Sequence, residues 1–442
     1  MESVLLYVLG IVIVAVGLGL SIALHEVGHL VPAKKFGVKV GQYMIGFGPT
    51  IFSRKRGETE YGIKVLPLGG YISMTGMFPP AREGERARTA STGFVGTLVQ
   101  DARTASADQI LPGEEDRTFY RLPVWKRIVI MLGGPFMNLV IAVVLYAVVL
   151  CGFGIPQSST TIGTVNECVL PAGSTQTSCE ADDPLAPGAE AGILPGDELI
   201  TIDGTPVTSW NQASAMIRDA PEQTMDFVVE RDGERVNLAI TPLLSERYVT
   251  DDAGVVQNGP DGQPLTRDVG FVGISPAAET VRQPVTAVLP AVGDNIVAVG
   301  RIIVTLPQRL VQIVQLTFSG EARDPNGPIS VVGVGRLAGE ITSLDTLPVA
   351  ERASTVIGMV AALNVALFTF NMVPLLPLDG GHVAGALIEG IRRRLAKLFG
   401  RPDPGPIDTA KVIPLTLVVV AVLGLSMILL VWADIVNPIS FL

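Results

Sequence analysis

The sequence predicts an α-helical polytopic membrane protein with four transmembrane helices, a membrane-associated β-hairpin element and an extracytoplasmic α+β domain. Three observations predict it. Apolar residues make up 48% of the 442 and the mean hydropathy is +0.45, far above an ordinary soluble chain. Four uncharged stretches, Val4–Leu24, Ile128–Phe153, Thr355–Leu378 and Val412–Ala433, are each long enough to cross the hydrocarbon of a bilayer. The basic residues are sorted by side. Of 32 Lys+Arg, 15 lie in 31–127, 11 in 153–354 and 6 in 379–411, and none lies between Arg127 and Arg218.

The positive-inside rule then puts 31–127 and 379–411 in the cytosol, and both termini and 153–354 outside. The outer region holds 26 Asp+Glu against 11 Arg and no Lys, an acidic translocated domain. A net charge of −10 with no basic stripe excludes nucleic acid as a partner and leaves the lipid bilayer as one. Cys151 lies in a span. Cys168 and Cys179, 11 apart in the outer region, are positioned to close a disulfide in an oxidising compartment.

The first span, within 1–37, covers 21 uncharged residues, roughly 31 Å as a helix. It is not a cleavable signal, because its head carries no positive charge and no small-residue cleavage site follows. The span runs into Leu24-His25-Glu26-Val27-Gly28-His29, and the helix is expected to end near Pro32. On a helix His25 and His29 share a face and can hold one metal ion, while Glu26 is placed to take a proton from a water which that ion activates. Ionisable groups at membrane depth are costly enough to indicate function.

Residues 38–78 read as hairpins at the membrane face. Thr50–Ser53 and Tyr61–Leu66 form two β-like runs about a turn at Arg54–Gly57, flanked by Gly46-Phe47-Gly48-Pro49 and Gly69-Gly70. An edge strand there could pair with an extended peptide. Residues 79–120 lack periodicity and read as a flexible cytosolic insertion. The second span, 121–154, opens with Gly133-Gly134-Pro135-Phe136-Met137-Asn138, in which the glycines allow close helix approach and Asn138 must find a partner inside the bundle.

The outer domain, 155–277, carries Pro195-Gly196-Asp197-Glu198-Leu199-Ile200-Thr201-Ile202-Asp203-Gly204, a short helix from about Asn211, and a strand pair turning at Asp232-Gly233. The pattern resembles bacterial PDZ domains, which accept a peptide strand or terminus. A loop is expected over 251–266. Residues 278–350 read as amphipathic helices at the outer interface, since Asp294, Arg301 and Arg309 interrupt the apolar runs.

The third span, 351–382, ends in Asn371-Met372-Val373-Pro374-Leu375-Leu376-Pro377-Leu378-Asp379-Gly380-Gly381-His382. The prolines break the helix at membrane depth, which is tolerated beside a cavity. Asp379 emerges there on the same membrane side as His25 and His29. The chain has only three histidines, His25, His29 and His382, so the third metal ligand is Asp379 or His382. A basic cytosolic loop, 383–411, and a packing helix, 412–442, complete the chain.

His-Glu-x-x-His in the first span, Asn-x-x-Pro-x-x-x-Leu-Asp-Gly in the third and an outer PDZ domain together resemble the site-2 protease family of intramembrane zinc metalloproteases, in a bacterial single-PDZ form. The resemblance implies one Zn2+ on His25, His29 and Asp379, with Glu26 as general base. It also implies a β element that receives an unwound substrate, with Asn371 contacting its backbone. Pro374, Gly69, Gly70 and Asn138 are further candidate substrate contacts. The implied setting is the bacterial plasma membrane, with the active site toward the cytosol. The implied partners are single-span membrane proteins trimmed beforehand by another protease, such as anti-sigma factors. The rivals are a non-catalytic PDZ-bearing scaffold and a metal-ion transporter.

Overall fold

The computed structural model describes residues 2–79, 110, 113–170, 173–174, 176, 178–180, 182–249, 256–257, 259, 264–319, 323 and 327–438. In chain order its elements are α1 (Glu2–Lys35), β1 (Val40–Arg56), β2 (Thr59–Met74), α2 (Val124–Ala147), β3 (Ile155–Val165), β4 (Glu198–Ile202), β5 (Thr205–Pro206) and α3 (Trp210–Arg218). There follow β6 (Met225–Arg231), β7 (Glu234–Ile240), β8 (Leu243–Tyr248), β9 (Thr266–Phe271) and β10 (Ile274–Val281). The last helices are α4 (Val288–Ser319), α5 (Val331–Ser343), α6 (Val349–Asn371), α7 (Asp379–Leu398) and α8 (Ile413–Val436). They form two compact units, one of residues 1–153 and 283–442, the other of 154–282.

The first unit is a helical bundle with a β element. Five helical stretches among the described residues are long and apolar enough to cross a membrane: Ser3–Lys35, Val124–Phe153, Val285–Thr317, Val349–Asn371 and Thr409–Val436. The sequence reading had four. The fifth by length and composition is α4, one continuous helix of 32 residues within the segment read as amphipathic interfacial helices. Its charges are spaced widely enough to leave an apolar window of spanning length. A buried ion pair, Arg323 Nη1 to Asp434 Oδ1 at 2.7 Å, ties the approach to α5 onto α8.

Two helix ends also differ from expectation. Pro32 does not stop α1, which continues to Lys35. A proline inside a helix costs the bond to the carbonyl four residues back, here that of Gly28. The segment read as a basic loop after Asp379 is helical to Leu398. Its Leu387, Ile391, Leu395 and Leu398 recur at helical spacing, a period masked by the run of arginines.

The β element is larger than the two runs expected. Residues 42–45 lie between 60–63 on one side and 70–73 on the other, and 50–56 pair with 59–64 across the Gly57 turn. The Tyr43 hydroxyl donates to the Ala23 carbonyl at 2.8 Å, fastening the sheet to α1. Leu30, Ala33, Val40, Tyr43, Met74, Phe119, Ile130 and Met131 form a shared core. Most of the insertion at 79–120 lies outside the described residues. Within it, Phe119 is buried in that core.

The second unit is a sheet in the order β10-β3-β4-β6-β7, with β5 on β4 and a separate pair β8-β9. It extends to Arg282, past the expected end at 277, because β10 pairs with β3. Two Asp-Gly turns set its hairpins, with positive φ at Asp203 and Gly204 and at Asp232 and Gly233. Ser209 caps α3, accepting from the Gln212 N–H. Phe227, Ile202, Leu199, Val229 and Ile240 fill the core. Cys168 and Cys179 are joined in a disulfide, with Cα atoms 5.9 Å apart. The expected loop at 251–266 lies mostly outside the described residues.

Candidate metal centre

Two segments distant in sequence converge in the first unit. His25 and His29 lie one turn apart on α1, and their Nε2 atoms stand 3.2 Å from each other. Asp379 Oδ2 is 3.3 Å from His25 Nε2 and 3.3 Å from His29 Nε2. The three atoms thus form a nearly equilateral triangle. Metal bonds of about 2.0 Å in tetrahedral geometry put neighbouring ligand atoms about 3.3 Å apart, so the triangle matches one face of a zinc tetrahedron. Asp379 Oδ2 is buried without a hydrogen-bond donor, an arrangement that is costly unless a cation completes it. The donor set, two imidazoles and a carboxylate, fits zinc and is one ligand short of its usual four.

Each ligand is placed by local chain chemistry. Asp379 opens α7, after the broken segment 372–378, which contains Pro374, Pro377 and a cis Leu376–Pro377 bond. That segment folds back so tightly that a Cβ on Gly380 would strike the carbonyls of Met372 and Val373. The Asp-Gly-Gly sequence is therefore a steric requirement for presenting Asp379. The histidines are set from behind by α2. His29 Nδ1 donates to the Ile130 carbonyl at 2.7 Å, and Asn138, fully buried, places Nδ2 3.1 Å from His25 Nδ1. Gly28 and Gly133 bring the two backbones together without side chains between them. From the third side, Asn364 of α6 donates to Ser21 Oγ at 2.9 Å.

Glu26 is 7% exposed. The strand 70–73 passes beside it, so close that a Cβ on Gly70 would come within 3.2 Å of Glu26 Oε1. The structure thus brings His25, Glu26, His29, Asp379 and Gly70 into one place. Other candidates lie elsewhere. Gly69 packs on the Phe47 ring, Pro374 is exposed in the broken segment, and Asn371 Nδ2 donates to the Leu367 carbonyl of its own helix. Asn138, a candidate substrate contact, is fully buried and faces His25. His382 is not in the triangle; it lines a small cavity with Arg127, Phe119 and Glu389. Sequence reasoning missed Ile130, and it had Gly134 only as a point of close helix approach and Gly380 only as part of the Asp-Gly match. A backbone carbonyl such as that of Ile130 leaves no signal in the residue types.

A bundle presenting His-Glu-x-x-His on one membrane helix, and a carboxylate from another, defines a membrane-embedded candidate metalloprotease. Residues 13–401 match peptidase family M50, and the chain belongs to that family, the site-2 proteases. It is similar to the zinc metalloprotease Rip1 of Mycobacterium tuberculosis, at 34% identity over 98% of this chain and 99% of that protein. It is also similar to the metalloprotease MmpA of Caulobacter vibrioides, at 28% over 85% of each chain. A third relative, the regulator of sigma-W protease RasP of Bacillus subtilis, is 25% identical over 94% of this chain and 96% of that protein.

Proposed function

We propose that this chain is a zinc-dependent endopeptidase that hydrolyses peptide bonds within or beside the membrane-spanning segment of single-span membrane proteins. The observation that carries the reading is the 3.2–3.3 Å triangle of His25, His29 and Asp379 with Glu26 beside it. Zinc, when bound, supplies Lewis acidity toward a peptide carbonyl and an attacking water. Glu26 takes the proton from that water and returns it to the leaving nitrogen as the C–N bond breaks. The low exposure of Glu26 keeps bulk water away from this transfer.

A transmembrane substrate has its carbonyls locked in a helix and must unwind before it can be cut. Among the described residues, segment 70–74 pairs with 40–45 on one side only, so its other edge can take up an extended substrate next to Glu26. Gly70 keeps a side chain from coming between that strand and Glu26, and Gly69, Asn371 and Pro374 are further substrate contacts in this reading. We read 154–282 as a PDZ domain on the extracytoplasmic side, acting as a size filter that passes substrates already trimmed there. The basic segments 31–127 and 379–411 put the metal centre toward the cytosol. RasP is named for the regulation of a sigma factor, which favours anti-sigma factors or similar regulators as substrates.

The test is reconstitution of the purified full-length protein with single-span substrates, alongside Glu26→Gln and zinc analysis. Cleavage by the wild type, with zinc retained and cleavage lost in Glu26→Gln, supports the reading. Full activity of Glu26→Gln overturns it.

A further inference from the structure

The metal centre has a rear wall, and that wall is unequal for the two histidines. Zinc held through Nε2 requires a neutral imidazole whose proton sits on Nδ1. For His29 that proton has a fixed acceptor, the Ile130 carbonyl at 2.7 Å. For His25 the facing group is the Asn138 amide, which offers an acceptor in only one of its two orientations. Its Nδ2 stands 3.1 Å from His25 Nδ1, while Oδ1 is buried with no partner. Two donors would then face each other across 3.1 Å once His25 carries its proton on Nδ1. A half turn of the amide removes the conflict, bringing Oδ1 onto Nδ1 and leaving the side chain's volume unchanged.

We infer that Asn138 is the positioning residue for His25: its amide oxygen accepts the Nδ1 proton and holds the ring in the tautomer whose Nε2 lone pair faces His29 and Asp379. The inference rests on the ligand assignment proposed above. Asn138 touches neither substrate nor metal and acts only through His25. With the Ile130 carbonyl it makes α2, which supplies no ligand, the element that orients both imidazoles from behind.

Full-length wild type, Asn138→Asp and Asn138→Leu separate the possibilities. Zinc affinity is measured by competition with a chelator, and cobalt(II) absorption reports the ligand geometry. Thermal unfolding in detergent serves as the check on fold. Aspartate can accept from Nδ1 but cannot donate to it, so Asn138→Asp keeps wild-type zinc affinity or exceeds it, with the cobalt spectrum preserved. Asn138→Leu loses about 10–100-fold in zinc affinity. Unchanged affinity in Asn138→Leu overturns the inference, and so does an Asn138→Asp protein that is folded but as weak as Asn138→Leu, because that means the amide donates. A purely structural role would lower the unfolding temperature and leave the affinity of folded protein intact. If Asn138→Leu does not fold, Asn138→Ala takes its place, with the same loss of zinc affinity expected and unchanged affinity overturning the inference. Failure of the wild type itself to bind zinc sinks the ligand assignment, a result distinct from wild-type binding that is indifferent to position 138.

Discussion

Gly134 of α2 backs directly onto the metal-facing nitrogen of His29: a Cβ at this position would overlap Nε2 of that ring and crowd Nε2 of His25. The absence of a side chain there would leave room for an ion at the proposed site. Gly134→Ala should therefore lose zinc while the bundle stays folded, since alanine is otherwise better in a helix than glycine by about 1 kcal/mol. Zinc stoichiometry together with an unchanged or raised unfolding temperature would bear this out. Full zinc occupancy in Gly134→Ala would count against it.

Glu26 and Gly70 allow proton transfer to be separated from metal binding. Glu26→Gln keeps size and removes the base, so cleavage should fall by about 10²–10⁴-fold at unchanged zinc content. Gly70→Val pushes a branched side chain against Glu26 and Ile22. It should slow turnover with zinc retained, whereas the same change at Gly48, where a Cβ meets nothing within 4 Å, should not act through Glu26.

The candidate ligands were legible in the sequence because their relation is local and their residue types are scarce. A spacing of four on an apolar helix fixes His25 and His29, and three histidines leave few alternatives. What stayed hidden was relational. Nothing local says that Asn138 meets His25, or that Gly133 lies on Gly28, since both depend on how two helices cross. The extent of α7 was misread because charge suggested a loop while its apolar period said helix. The break before Asp379 was readable from Pro374 and Pro377, but its steric need for Gly380 was not.

A buried ion pair links α2 and α7 below the metal centre. Arg127 donates to Glu389, which also accepts from Arg393 at 3.0 Å and from the Ile407 N–H at 3.0 Å. Glu389→Leu leaves Arg127 uncompensated and should destabilise the protein by about 3–5 kcal/mol. Pairing it with Arg127→Met should recover much of that loss. Unfolding of the two singles and the double in detergent measures the coupling, and simple additivity would refute it.

In the second unit, Asp197 is 1% exposed and accepts from Arg231 Nε and Nη2, each at 2.7 Å, and from the Leu194 N–H. The Arg231 guanidinium holds its carboxyl below the usual carboxylate range. The unfolded chain therefore takes the proton first as pH falls. The stability this carboxylate contributes is whole above about pH 4 and is lost as pH drops through its lower, folded value. Hydrogen exchange within 198–231 of the intact protein should rise over that acid window, and Asp197→Asn should flatten the dependence.

The rear wall of the metal centre has a consequence for how freely α2 can vary. A turn of about 100° together with a slide of about 1.5 Å, one residue along the helix, would bring Pro135 or Gly133 to where Gly134 now stands. The Ile130 carbonyl and the Asn138 amide would miss their imidazoles in the same movement. A helix that never touches the ion thus acts as its gauge block, with only one azimuth and one height that admit a cation.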